Sequence, residues 1–448
     1  MEAKEDLKEK LTESSPLIYS SDTTKLKGNV TNSKAKSCGN LVTFSALWIT
    51  YLVVSVAYSI LAPFYPQEAA KFNVSSLMVG FIMGASPLCV TFMSPIFGYF
   101  IPQIGLKFMM IAGCFLVGGS FLLLGFLVKM SSYFEFVFFS ILLRVVEGIG
   151  SAGYITASFT IATILFPTKT GTVIGMLELG SGIGFAIGPP LGGFLYKIGG
   201  FFLPFLVTGS TVLVFIILFV LFVPDTKGTK QYVSPRTLLK FSMNVPFLLL
   251  ILCHILVIAS LGFFSPVMSL FLIDQFNLSE IYIGVIFFIG PAAYMLSSIV
   301  AGRLSDKLGP RYLIVGGLLL SGISFFFIGP APFILNKSHV WLTCTSMAAV
   351  GIGIGFGIVP IFSDMLQVIR RIDPSATGDE MYGYLSGLSS AAYSCGEFLG
   401  PIIGGALAKI MSFQMSASIV GMFLLTEAIL LLSVTVVDQF LPRLSAKI

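Results

Sequence analysis

The sequence predicts an all-α membrane protein, with twelve transmembrane helices in two pseudo-symmetric six-helix bundles. Three observations lead there. The 448 residues are 56% hydrophobic and only 10% charged, with a mean hydropathy of +0.95, whereas a water-soluble domain carries about a quarter charged residues. Twelve apolar runs each reach the roughly 20 residues that cross a bilayer core with every backbone polar group satisfied inside the segment. The second six runs also repeat motifs of the first.

The elements follow in order. Residues 1–40 are polar, rich in Lys, Ser, Thr and Glu, with no apolar stretch ahead of a small-residue cleavage site. Such a segment cannot bury a core, so a disordered cytosolic tail is expected in place of a signal peptide. The apolar runs of the first half are 41–66, 76–101, 107–128, 133–165, 171–196 and 201–223, separated by Lys71, Lys107, Lys129, Lys169 and Lys197. A polar linker over 224–244 contains Lys227 and Lys240. The second half supplies 245–272, 280–302, 311–330, 340–366, 380–409 and 414–437, followed by a short tail over 438–448. The halves are therefore 41–223 and 245–437.

Charge fixes the orientation. With both termini cytosolic, the tails and the loops after even-numbered runs hold 20 Lys and Arg, and the opposite loops hold five, Lys71, Lys129, Lys197, Lys337 and Lys409. Arg144 lies inside a helix. A fourfold excess places both ends in the cytosol by the positive-inside rule. Sequons at Asn73, Asn277 and Asn336 fall on the far side, in loops short for glycosylation. The six cysteines lie singly, with no disulfide or metal spacing.

The repeat is read from spacing. Gly175, Gly184, Gly188, Pro189, Gly192 and Gly193 on helix five recur 212 residues later as Gly387, Gly396, Gly400, Pro401, Gly404 and Gly405 on helix eleven. After helix eight come Gly302, Asp306, Lys307, Gly309 and Arg311, and after helix two their decayed copy Gly98, Pro102, Gln103, Gly105 and Lys107. Two similar six-helix halves with a cavity between them form a transporter architecture.

Charged residues inside membrane helices cost about 2.5–3.5 kcal/mol each on insertion scales, so each invites a functional explanation. On helix four, Arg144, Glu147, Ser151, Tyr154 and Ser158 are spaced three or four apart and form one polar stripe. Glu178 lies on helix five and Asp364 on helix ten after Pro360, while Glu397 shares a helix-eleven stripe with Ser386, Ser390 and Tyr393. Arg144 can pair with Glu147, which leaves Glu178, Asp364 and Glu397 without an intramembrane base. Uncompensated carboxylates and tyrosine rings attract organic cations by Coulomb and cation–π interaction. The same carboxyls can carry protons, so cargo and proton would compete. Each residue has a plainer reading as well: a structural or gating ion pair for Arg144 and Glu147, a hydrogen bond between helices for Glu178 and His254, a helix end near water for Asp364 and Glu397, and a structural role for Glu427. The helix-five and helix-eleven glycines allow close backbone approach, and Pro189 and Pro401 permit bending. A bulky residue at Gly188 or Gly192 is expected to jam rocking of the halves. Asp306 is expected to cap a helix and pair with Arg303, Lys307 or Arg311 and so bias one access state.

These motifs resemble the major facilitator superfamily over residues 41–437: the loop GRLSDKLGPR at 302–311, the helix-four run from Arg144 through Glu147 and Gly148 to Gly150, and the two glycine–proline runs. The helix-five run resembles the superfamily's antiporter motif, which implies exchange. More narrowly, YSILAPFYPQEA at 58–69 and GPPLGGFLY at 188–196 look like the vesicular amine transporters, nearest the polyamine branch. The resemblance implies proton-coupled antiport of spermine or spermidine from cytosol into acidic vesicles, a role for Arg144 in coupling, and no cofactor. Relatives that carry monoamines or acetylcholine have an acid on helix one, and 41–66 contains none. They have another where Ser390 stands here, a position that Glu178 matches in the first half, 212 residues earlier. The first-half loop has Pro102 in place of the family's Asp, so its gating ion pair should be the weaker.

In the tail, Glu13, Leu17 and Ile18 resemble an acidic dileucine address, which implies clathrin-adaptor binding and delivery to secretory, synaptic or endolysosomal vesicles. A proton antiporter for monoamines, acetylcholine or other organic cations is the nearest rival. A non-transporting sensor or scaffold of the same fold is a second. No H-E-x-x-H, G-x-S-x-G or P-loop pattern supports an enzyme. The expected partners are cargo, protons and lipid, with no nucleic acid and a monomer favoured.

Overall fold

The computed structural model describes residues 22–223, 234–278, 280–331, 337–374 and 378–445. The dileucine residues Glu13, Leu17 and Ile18 lie outside the described residues, as does Asn336. Twelve long helices appear among those described. The first half comprises α1 (Asp22–Lys71), α2 (Ser76–Ile104), α3 (Leu106–Leu124), α4 (Tyr133–Leu165), α5 (Thr170–Gly199) and α6 (Phe202–Phe222). A short helix, Pro235–Ser242, lies in the linker. The second half comprises α7 (Val245–Phe276), α8 (Glu280–Leu308), α9 (Pro310–Ile328), α10 (Val340–Ile372), α11 (Asp379–Ile410) and α12 (Phe413–Ser445).

Eleven of these are long and apolar enough to cross a membrane. The other is α11, whose Ser386, Ser389, Ser390, Ser394 and Glu397 make it less hydropathic. Two helices overrun the expected spans. α1 begins at Asp22, inside the segment for which composition predicts disorder, and α12 continues to Ser445, past the expected end at 437. Extending an existing helix adds one hydrogen bond per residue fixed, so a membrane span can carry polar flanking residues with it.

The two halves pack alike. α1 contacts α5 and α6, α2 contacts α4, and α3 contacts α4 and α6. In the same way α7 contacts α11 and α12, α8 contacts α10, and α9 contacts α10 and α12. Between the halves, α2 meets α11 and α5 meets α8. Both loops after α1 and α7 turn on an asparagine in the left-handed region, Asn73 at φ 57° and Asn277 at φ 52°. Ser75 then caps α2 by accepting from the Met78 N–H.

The glycine–proline runs divide their work. A methyl group built on Gly184 would lie 2.6 Å from Ser55 Cβ, one on Gly188 would collide with Ser59, and one on Gly192 would lie 2.7 Å from Phe64. These glycines seat α5 on α1. Gly396, Gly400 and Gly404 seat α11 on α7 against Ile255, Ala259 and Phe263. Substitution there separates helices inside one half, which corrects the expectation that Gly188 and Gly192 act at the rocking surface. Only the first glycine of each run faces the other half: Gly175 meets Ser298 O and Gly387 meets Gly98. Both helices run unbroken through Pro189 and Pro401.

Candidate functional site

Where the halves face each other, a cavity of about 100 Å³ opens among Tyr51 and Tyr58 of α1, Glu178 of α5, His254 of α7, and Tyr393 and Glu397 of α11. One water needs about 10–15 Å³ on this measure, so there is room for a small organic molecule. Phe159 of α4 and Phe362 of α10 meet across the halves with ring centroids 6.0 Å apart and form part of the wall.

Each half contributes one carboxyl to this wall. Glu178 is buried, and its hydrogen bond comes from the other half, where the Tyr294 hydroxyl of α8 donates to it at 2.7 Å. Glu397 lies beside Tyr58, whose ring sits 5.4 Å from the Arg144 guanidinium carbon. The described ion pairs are Lys71–Glu68, Arg144–Glu147 and Arg311–Asp364. Neither cavity carboxyl takes part in one.

The helix-four stripe is buried as a unit. Arg144 donates to Glu147 and, at 3.0 Å, to the Met83 carbonyl of α2, while Ser151 donates to Glu147 at 3.3 Å. This closed pair lies behind Tyr58, off the cavity wall. Glu147 is thereby removed from the residues that face cargo, whereas Tyr154 stays on the wall. Asp364 also departs from expectation: it receives two hydrogen bonds from Arg311 at the start of α9, away from the cavity. Helical spacing showed that it was intramembrane and polar without showing which neighbour it would meet. Arg303 is exposed, five residues before the end of α8.

Asp306 reaches across the halves. Its carboxylate accepts from the Gly171 and Thr172 backbone N–H groups at 2.8 Å each, and from the Thr172 hydroxyl at 2.6 Å. It thereby caps the first turn of α5, while none of the described ion pairs joins it to the bases of its own loop. Next to it Gly171 and Gly302 pack backbone on backbone, and Gly98 does the same with Gly383 and Gly387. The end of the bundle that carries the α2–α3 and α8–α9 loops is therefore closed. Farther along, the contacts become side chains: Phe398 on Gly84 and Met295 on Gly182.

Sequence reasoning missed Tyr51, Tyr58 and Tyr294. Tyr58 and Tyr51 are spaced one heptad apart on α1, a signal that was present but unweighted beside the search for acids.

With the geometry in place, comparison with known proteins settles the family. The Major Facilitator Superfamily profile matches residues 47–372 and 250–446. The chain belongs to that superfamily. It is 36% identical over 385 residues to the mouse MFS-type transporter SLC18B1, covering 84% of this chain and 82% of the relative. It is 25% identical over 362 residues to the human synaptic vesicular amine transporter, covering 80% and 66%. Among solved structures, a bacterial homologue of the iron transporter ferroportin in an outward-facing state matches at a TM-score of 0.71 and 16% identity, over 87% of this chain and 99% of that one. This likeness shows the fold. The superfamily member described here is a multi-pass membrane transporter and not an enzyme.

Proposed function

We propose that this transporter exchanges lumenal protons for cytosolic polyamines, such as spermine and spermidine, by alternating access in the membrane of acidic vesicles. The observation that carries the reading is Glu178: a buried carboxyl on the cavity wall, held by Tyr294 and paired with no base among the described residues. An organic ammonium there would gain a counter-ion and tyrosine faces. A lumenal proton on Glu178 would cancel the charge that holds the amine, so proton entry and amine release would be one event. Glu397 and Tyr393 would hold a second part of the cargo. The orientation rests on the positive-inside count, which makes the closed end cytosolic, and the amine-transporter name of a relative supports the cargo class. The Glu13, Leu17 and Ile18 address would bring the protein to its vesicles through clathrin adaptors.

Labelled spermidine uptake into proteoliposomes with an acid-inside gradient tests it. Uptake should require both the gradient and Glu178, and Glu178→Gln should abolish it. Gradient-driven uptake that survives Glu178→Gln would move the cation site to Glu397. Uptake of dopamine or acetylcholine without spermidine would overturn the polyamine reading.

A further inference from the structure

Three residues of the cavity wall each carry a buried polar atom with no hydrogen-bond partner among the described residues: the Tyr154 hydroxyl, His254 Nε2 and the Ser390 hydroxyl. Buried polar groups are almost always paired, so three orphans on residues that line one cavity point to a partner that reaches them from it. They come from α4, α7 and α11, and thus from both halves. Their ring neighbours line the same cavity. The Tyr154 ring packs on Tyr51 with centroids 5.6 Å apart, and the His254 ring meets the edge of Tyr393 at 6.0 Å. Tyr51 and Tyr393 both lie in the field of Glu178. Ser390 follows Ser389, whose hydroxyl is 3.4 Å from His254 Nδ1.

All three orphans can accept. Phenol and hydroxyl oxygens have free lone pairs, and with the Nδ1 proton directed at Ser389 the His254 Nε2 presents one too. None brings a formal charge. We propose that Tyr154, His254 and Ser390 form a second, uncharged subsite, which accepts N–H groups from a nitrogen inside the cargo chain while Glu178 holds a terminal ammonium. This rests on the amine reading above and deepens it: the cavity selects for nitrogens set along a chain. A cargo with one nitrogen fills one subsite and leaves the acceptors unpaired. Discrimination by unpaired buried groups is stronger than discrimination by shape alone.

The test compares spermidine with 1,8-diaminooctane, which keeps both terminal ammoniums and the chain length and has a methylene in place of the internal amine. Each competes, unlabelled, against labelled spermidine uptake in proteoliposomes. In wild type, spermidine should compete about tenfold better, the size of a lost hydrogen bond to a charged group. In His254→Leu with Ser390→Ala the two should compete equally, with the inhibition constant of 1,8-diaminooctane unchanged. His254→Gln, which keeps an acceptor, should restore most of the preference. Ser390→Ala alone barely alters volume and should give a smaller step in the same direction. Equal competition in wild type, or a preference that persists in the double variant, would overturn the subsite and leave the polyamine reading intact. Wild type that takes up no spermidine at all would instead remove the reading on which the subsite rests.

Discussion

Helices α4 and α10 occupy repeat-related places and have opposite chemistry. Gly148 of α4 packs on Ser86 and Cys89 of α2, and Gly351 of α10 packs on Gly290 and Ala293 of α8. This register sets Met347 and Val350 where the first half has Arg144 and Glu147, and Gly357 where it has Tyr154. The same packing arrangement is thus built once around a buried ion pair and once around apolar side chains. Folding does not require the charges, since a buried pair is at best near break-even against hydrophobic replacements of similar size.

The closed end repeats the lesson in backbone terms. Gly171 and Gly383 are repeat-related, yet α5 starts at Thr170 and α11 starts at Asp379. The Gly171 N–H is thus an orphan of a first helical turn and needs Asp306, whereas the Gly383 N–H falls inside a helix that satisfies it. One extra turn of α11 explains why Pro102 can stand where the other loop has Asp306.

The largest test of this contrast is Arg144→Met, which strands the Glu147 carboxylate and should cost about 3–5 kcal/mol of stability, read as thermal unfolding in detergent. Arg144→Met with Glu147→Val copies the second half into the first. It should recover most of that stability without recovering spermidine uptake, and recovered uptake would show the pair to be structural. Next, Asp306→Asn weakens charge-assisted bonds to α5 and should cost the closed state roughly 1.5–3 kcal/mol. Spin labels introduced by Lys169→Cys and Leu308→Cys should then report a wider distance population. Pro102→Asp should leave the corresponding α2–α11 distances unchanged, because no first-turn donor awaits it there. Smallest is the glycine pair test. Gly192→Ala and Gly404→Ala press on Phe64 and Phe263 and should each cost about 1 kcal/mol or more. Gly193→Ala and Gly405→Ala face open space and should leave the unfolding temperature where it is.

The twelve spans were legible because lipid forces apolar length and internal hydrogen bonding on each of them. The repeat was legible because glycines at backbone contacts admit no substitute. A third repeat went unread: Phe72, Asn73, Val74 and Ser75 return as Phe276, Asn277, Leu278 and Ser279. Its asparagines suggested glycosylation, while in the structure they are left-handed turn residues closing α1 and α7. Glu178 and Glu397, expected to bind cargo or proton, both line the cavity; a lone acid in an apolar run stands out by itself in a sequence. The Arg144–Glu147 pair could be read from spacing within one helix, but the Arg311 partner of Asp364 and the α5 end that Asp306 caps could not, because those contacts depend on which helices become neighbours. Helical periodicity assigns a face and is silent about what it meets.

The closed end is sealed largely by glycine against main chain, at Gly98 with Gly383 and Gly387 and at Gly171 with Gly302. Such a seal reads no cargo. The cavity wall lies deeper and is made of tyrosine, serine, histidine and carboxylate side chains. The machine and its taste are therefore written in separate alphabets, and a descendant of this chain could change its cavity wall without rewriting how its door shuts.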